Sequence, residues 1–564
     1  MHTQAHPGQS PFNAWLDDFF SAYYCRRPVN ATFIGIHQYD HALPDYSPAG
    51  VDETMAEMQG LLDRLHSLPD EPLSPAERID RRLAEGFLQI QLWEFQSVHF
   101  QRANPSTYTG EAIFGLIALF LTDFAPLDER VEAAIERMRA IPGFLRQAQV
   151  NLQAAPQAWS ERAIRECRGA LAFLDEGIER LAQAHAIENT GFRRAAADAA
   201  AAFAGFQAFL ESELQRRPTQ AYACGEQAFD LLLRQGHFVE SSAQEVAAYA
   251  EEELRLAQAY LQSHAADFGA ASPEEALGGL ADLHPSLREY PRRYSDLWQA
   301  CRRTSQEYDL LTWPDFPIRY TPQPAWARKA APFLYFLFYR APAAFNRPAV
   351  HDYLFTPVEP GLPPGEQEAL LRINNDSAIK MNHVVHHGGI GHHVQNWHAY
   401  HAQSRIGQVA AVDCAARIAM FCGGTMAEGW AVYATDLMCD TDFVTPLEKY
   451  AEYQTRRRMC ARTVVDVRLH LGSYQLEEAS RYYQEQAGMS PAAALGEAVK
   501  NSMFPGAAVM YVLGSDRIHT LRRELSARLG GRFSLRQFHD KLLSYGSIPV
   551  ALAAAEMEKE SLHA

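Results

Sequence analysis

Residues 74–77 read Ser-Pro-Ala-Glu: a serine to cap a helix, a proline for its first turn and a glutamate to close a capping box. The device returns as Ser272-Pro273-Glu274-Glu275 and Thr445-Pro446-Leu447-Glu448. Ser242-Ala243-Gln244-Glu245 repeats it without the proline and opens a run through about Leu261. Outward from these starts, Met55, Met58, Leu61, Leu62 and Leu65 recur at helical spacing. Residues 128–185 and 193–215 are rich in alanine, leucine and charged residues with the same period. No fixed-length repeat runs through the chain, which argues against a solenoid. The fold class these signals predict is mainly α.

One stretch departs from the pattern. Residues 314–364 hold 11 of the 31 prolines, a density that breaks helices and sets turns. Ile318-Arg319-Tyr320-Thr321 and Asp352-Tyr353-Leu354-Phe355-Thr356 lean towards strand, so a minor β element is expected near 314–360. The expected organisation is an N-terminal helical half (1–313), a winding segment (314–364) and a C-terminal helical half (365–564), joined as one continuous unit.

Composition narrows the partners. With 564 residues, 47% of them hydrophobic, the chain can bury a large core. A net charge of -17 speaks against nucleic acid, which needs a basic face. Eight cysteines lie scattered without a C-x-x-C pair, as expected of buried thiols in a reducing compartment. The first residues lack a basic and then apolar leader. The apolar runs Ala112–Thr122 and Pro332–Tyr339 are too short to span a bilayer. A cytoplasmic protein with no membrane partner is the expectation, and a homodimer is left open.

The chemistry concentrates in residues 386–395, His-His-Gly-Gly-Ile-Gly-His-His-Val-Gln, followed by Ala427-Glu428-Gly429-Trp430. Imidazole and carboxylate together are what a divalent metal binds. Residues 367 to about 387 read as a helix that the glycines at 388, 389 and 391 should end or distort. In a continuous helix His386 and His392 would not converge, whereas His386 and His393 would nearly align. A break at the glycines lets either later histidine swing onto the same ion. A histidine-rich helix end that merely hydrogen-bonds is the bland alternative.

The chain also resembles the domain-of-unknown-function 885 family, whose members look like gluzincin-type zinc metallopeptidases. That family's motif, H-E-x-x-P-G-H-H-x-Q and then E-G-W-A-x-Y, is met by His386, Gly391, His392, His393, Gln395, Glu428, Gly429, Trp430, Ala431 and Tyr433. Further matches are Gly35-Ile36-His37-Gln38-Tyr39-Asp40, Val464-Val465-Asp466 with His470, Pro505-Gly506 with Tyr511 and Gly514, and Phe533-Ser534-Leu535-Arg536. The resemblance implies His386, His392 and Glu428 as metal ligands, with His393 an alternative. His387 stands where the family has its general-base glutamate, and Ile390 where it has proline. Loss of that base puts ~10²–10⁴-fold of rate at stake. His387 is then a substitute base, a further ligand or a spectator.

Arg462, Asp466 and His470 fall at i, i+4 and i+8 among apolar neighbours, a stripe in which Asp466 would orient His470 beside a site. Tyr511 is a candidate to stabilise an oxyanion. Arg462, Arg517 and Tyr433 are candidates for contact with substrate. Gly423-Gly424-Thr425 reads as a turn with Thr425 capping the helix of Glu428. His383 and His398 read as bystanders.

The expected whole is a large helical assembly around a deep cleft. The implied function is a metal-dependent hydrolase of a small peptide or amide, with zinc the first choice and iron or manganese allowed. Two other readings stand beside it. One is a non-haem iron(II) enzyme using oxygen on two histidines and a carboxylate; the other is a catalytically silent homologue that binds a metal or ligand.

Overall fold

The computed structural model describes residues 10–69, 73–334, 342–409 and 417–562. Helices dominate, and among the described residues two short parallel strand pairs make up the β content. Three of the capping devices fold as the sequence predicts; at the other, Ser272 accepts from the Glu275 amide but the Glu275 carboxylate turns to the Ala271 amide instead of closing the box. Ser74, Ser242 and Thr445 each accept a hydrogen bond from the backbone of the glutamate three residues on, and each glutamate reaches back. They open the helices Pro75–Gln96, Ala243–His264 and Pro446–His470. No helix among the described residues is long and apolar enough to cross a membrane. Seven cysteines are free thiols; Cys414 lies outside the described residues.

Contacts divide the chain into two compact units. The first takes in Met1–Cys224, Gln323–Leu337 and Pro342–Pro348 as far as they are described. Its core is built by helices such as Ser106–Leu121, Leu127–Asn151, Gln157–Ala172 and Thr190–Ser212. The apolar run that begins at Ala112 lies in the first of these, buried over most of its length to Phe120, with Thr122 exposed as the C-cap. Arg137 is fully buried and spends its guanidinium on the backbone oxygens of Ala42 and Gly115 and on Thr32 Oγ1. The Gly35–Asp40 motif is structural here. Gly35 takes φ +90°, where a Cβ would lie 2.7 Å from the backbone nitrogen of Asn346. Asp40 accepts from Thr32 Oγ1 at 2.5 Å and meets His37 Nδ1 at 2.9 Å.

The second unit takes in Gly225–Pro322, Phe338–Ala341 and Ala349–Ala564 as far as they are described, and it carries all the metal-site motifs. The helices Ala243–His264 and Pro446–His470 pack along each other, as do Arg417–Cys439 and Val509–Leu529. The proline-rich stretch supplies the strands Ile318–Pro322 and His351–Phe355, paired in parallel from Ile318↔His351 to Pro322↔Phe355. This is the minor β element expected near 314–360.

Two local expectations are corrected. The helix expected across 367–387 is three pieces: Pro364–Ile373, a turn at Asp376–Ala378 capped by Asn375, and a wide helix Ile379–Gly388. The Asn375 side chain accepts from the Ala378 amide at 2.9 Å, so a second helix start sits inside the apolar pattern. Thr425 does not cap the Glu428 helix. Gly423, Gly424 and Thr425 lie inside Arg417–Cys439, where the Thr425 hydroxyl accepts from the Val550 amide at 3.1 Å. A Cβ on Gly424 would sit 2.4 Å from the Met510 sulfur, so that flexible side chain would have to shift.

Candidate metal centre

The wide helix Ile379–Gly388 turns with i→i+5 geometry, a form that recurs at functional sites. Its backbone is held from outside. Trp298 Nε1 donates to the Gly388 carbonyl at 2.8 Å, Tyr320 Oη to the His383 carbonyl at 3.3 Å, and Tyr353 Oη meets His383 Nδ1 at 2.6 Å. The chain then reverses through the glycines. The Gly391 amide donates to the Val385 carbonyl at 2.9 Å, and a Cβ on Gly391 would lie 2.0 Å from the His386 carbonyl oxygen. Only glycine fits so tight a return. The next helix, His392–Ala399, therefore starts with His392 directed back at His386.

Glu428 comes from the helix Arg417–Cys439, and its two followers fix that helix in place. A Cβ on Gly429 would meet the Gly514 backbone at 2.5 Å, so the helices Arg417–Cys439 and Val509–Leu529 touch main chain to main chain. Trp430 is fully buried and donates from Nε1 to the Ile390 carbonyl at 2.9 Å, tying the carboxylate helix to the glycine loop.

The result is convergence. Glu428 Oε2 lies 3.5 Å from His386 Nε2 and 3.5 Å from His392 Nε2. That spacing is longer than a good hydrogen bond. It matches the ~3.4 Å edge between donors that bind one ion at ~2.1 Å with tetrahedral angles. One ligand atom each from His386, His387 and His392 also lies within 4.8 Å of the others. His386 and His392 thus each stand beside the Glu428 carboxylate and also belong to a cluster of three imidazoles with His387.

Protonation favours donors. Burial lowers the His386 pKa, with Glu428 pulling it back only in part, so the ring is neutral at neutral pH. Burial alone would raise the Glu428 carboxyl, but its two imidazole neighbours outweigh that and hold it well below the usual range. Burial and the flanking imidazoles push His387 well below its ordinary value. Imidazole nitrogens beside a carboxylate are the kind of donor set a divalent cation takes, so His386, His392 and Glu428 fit one.

Other candidates fall elsewhere. His393 is not part of the cluster: its Nε2 pairs with the Phe316 carbonyl at 2.8 Å, its ring stacks on Phe316, and burial lowers it to about 4. Asp466 and His470, expected to work beside a site, are both fully buried and anchor backbone. Asp466 accepts from the amides of Gly506, Ala508 and Val509 at 3.1, 2.8 and 3.3 Å, fixing the turn before Val509–Leu529. Burial raises its carboxyl to about 7 against these donors. His470 Nε2 binds the Asn501 carbonyl at 2.9 Å and stands 3.6 Å from Asp466, beyond a hydrogen bond.

Arg517 pairs with Glu524 and Glu558 rather than facing the cluster. Tyr433 is fully buried with its hydroxyl on His539 Nε2 at 2.7 Å, a core contact and not a pocket wall. Arg462 is different. It pairs with Glu497 at 2.7 Å and lies 4.5 Å over the ring of Tyr511, and its charge is felt at His386.

The sequence reading missed Trp298, Tyr320 and Tyr353, the three side chains that hold the wide helix. Tyr353 was within reach, since it lies in a stretch recognisable as strand with alternate residues buried. Nothing local marks Trp298.

The family model described as "Bacterial protein of unknown function (DUF885)" matches residues 28–557. The chain is a member of the DUF885 family. No curated protein matches this DUF885 chain significantly. Among solved structures it is similar to a candidate lipoprotein of unknown function from Shewanella oneidensis. That match has 20% identity and a TM-score of 0.77, covering 98% of this chain and 100% of the other. It is also similar to a candidate lipoprotein from Colwellia psychrerythraea, with 16% identity, a TM-score of 0.78 and coverage of 99% and 100%. At such identities the likeness shows that the DUF885 fold is shared.

Proposed function

We propose that this DUF885 protein is a metal-dependent hydrolase of a small peptide or amide, with its ion held by His386, His392 and Glu428. The observation that carries the reading is the placement of one Glu428 oxygen 3.5 Å from both imidazole nitrogens. A bound divalent ion would supply a Lewis acid that polarises a carbonyl and lowers the pKa of water to about 7. Around it the chain does the positioning. The Gly391 reversal aims His392, and Trp430 holds the carboxylate helix against the loop. Arg462, fixed by Glu497, and Tyr511 beneath it are the proposed contacts for substrate. Three roles remain open to His387: accepting a proton, binding the ion, or standing by as a spectator.

The reading is tested by assaying short peptides and N-acyl amides with chelator-treated and zinc-, manganese- or iron-reloaded protein. Turnover lost on chelation and restored by one of these ions is the expected result; chelator-insensitive turnover, or none with any ion, contradicts it. A second reading, an iron(II) enzyme using oxygen, is favoured by one observation: imidazole at 387 replaces the carboxylate base of a hydrolase. Protein purified without added metal that carries stoichiometric iron and turns over only with oxygen would decide for it.

A further inference from the structure

We propose that His387 is a third nitrogen donor to the same ion, so that the chain binds its metal through three imidazoles and one carboxylate. This rests on the reading of His386, His392 and Glu428 as a metal centre. Adjacent residues of a regular α-helix point about 100° apart and do not share a ligand. Here the wide turn of Ile379–Gly388 brings the two rings to 4.7 Å between centroids, with His387 and His392 at 5.4 Å. One donor atom of each of the three lies within 4.8 Å of the others.

The second argument is the tautomer. His387 Nδ1 lies 2.7 Å from the Asn382 carbonyl, and a carbonyl oxygen can only accept. Nδ1 therefore carries the hydrogen and Nε2 keeps its lone pair. A ring N–H given to a backbone carbonyl is the support that ligating histidines have, because it fixes orientation and raises donor strength. The five-residue reach back to Asn382 is also the repeat of the wide turn, so the segment that distorts the helix also seats the ring.

Three nitrogens and one oxygen suit borderline ions such as zinc, iron or cobalt over the harder manganese. Ions that take five or six ligands would keep positions for water and substrate under that donor set. His387→Glu would convert it to two nitrogens and two oxygens and shift preference towards manganese.

The test uses the full-length protein loaded with one equivalent of Cu(II), with bound nitrogens counted by electron paramagnetic resonance. Three are expected in the wild type and two in His387→Ala and His386→Ala. Zinc affinity of His387→Ala should fall at least about 10-fold by competition titration. His387→Gln, closer in size, repeats both measurements, with circular dichroism showing that each variant is folded. Two nitrogens in the wild type, unchanged by His387→Ala and reduced by His386→Ala, would overturn the role of His387 while leaving the centre standing. No nitrogen-bound copper in the wild type would overturn the centre itself.

Discussion

At the scale of single residues, the centre depends on a hydrogen bond that spans 40 residues of sequence. The Trp430 indole donates to the Ile390 carbonyl inside the core, and Ile390 sits in the loop that aims His392. Trp430→Phe keeps an aromatic ring but loses the pyrrole part and its donor, leaving a small cavity and a buried carbonyl unsatisfied. The expected cost is about 1–3 kcal/mol in urea unfolding, with weaker metal binding at unchanged stoichiometry. Unchanged stability and affinity would show that the loop is set by packing alone. His386, His392 and Glu428 were legible as donors because their residue types and the glycines between them say what chemistry is wanted. Asp466, His470, Tyr433 and Arg517 were not assignable in the same way. Periodicity puts a side chain on a face, but their partners are backbone amides, a carbonyl, another histidine and distant glutamates.

Among the elements, the decisive contact is the crossing of Arg417–Cys439 with Val509–Leu529 at Gly429 and Gly514. Gly429→Ala would put a methyl 2.5 Å from Gly514 Cα, and backbone cannot yield as a flexible side chain can. Overpacking of about 1–3 kcal/mol is expected, with loss of metal affinity as Glu428 moves. Gly496→Ala is the contrast, since a Cβ there meets nothing within 4 Å in an exposed stretch of helix. It should stabilise by roughly 0.5–1 kcal/mol. Thermal melts of the two variants check both signs, and an equal response would contradict the steric argument. Helix starts were readable because a capping box is local. The wide turn before Gly388 was not, because Trp298, Tyr320 and Tyr353 hold it from elements far away in sequence.

For the whole molecule, buried histidines should cost stability in mild acid, above the ordinary carboxylate range and against the opposite contribution of Asp466, whose carboxyl burial raises to about 7. His237 and His539 are buried against the carbonyls of Gly506 and Leu310, and burial lowers each to about 4. An unfolded histidine titrates near ~6.5, so below that pH the unfolded chain takes up protons that the folded chain refuses. Their contribution is full above pH ~6.5 and is lost as pH falls through about 4. The urea midpoint of His237→Gln should therefore fall less than that of the wild type between pH ~6.5 and about 4; parallel curves over that range would contradict it. The central claim is that His386, His392 and Glu428 grip one divalent cation between them. Metal content after exhaustive dialysis, measured on the wild type and on Glu428→Gln, tests it most directly. The account expects about one tightly held ion per wild-type chain and its loss from a Glu428→Gln protein that remains folded. A wild type that retains no stoichiometric ion, or a variant that retains as much, would contradict it.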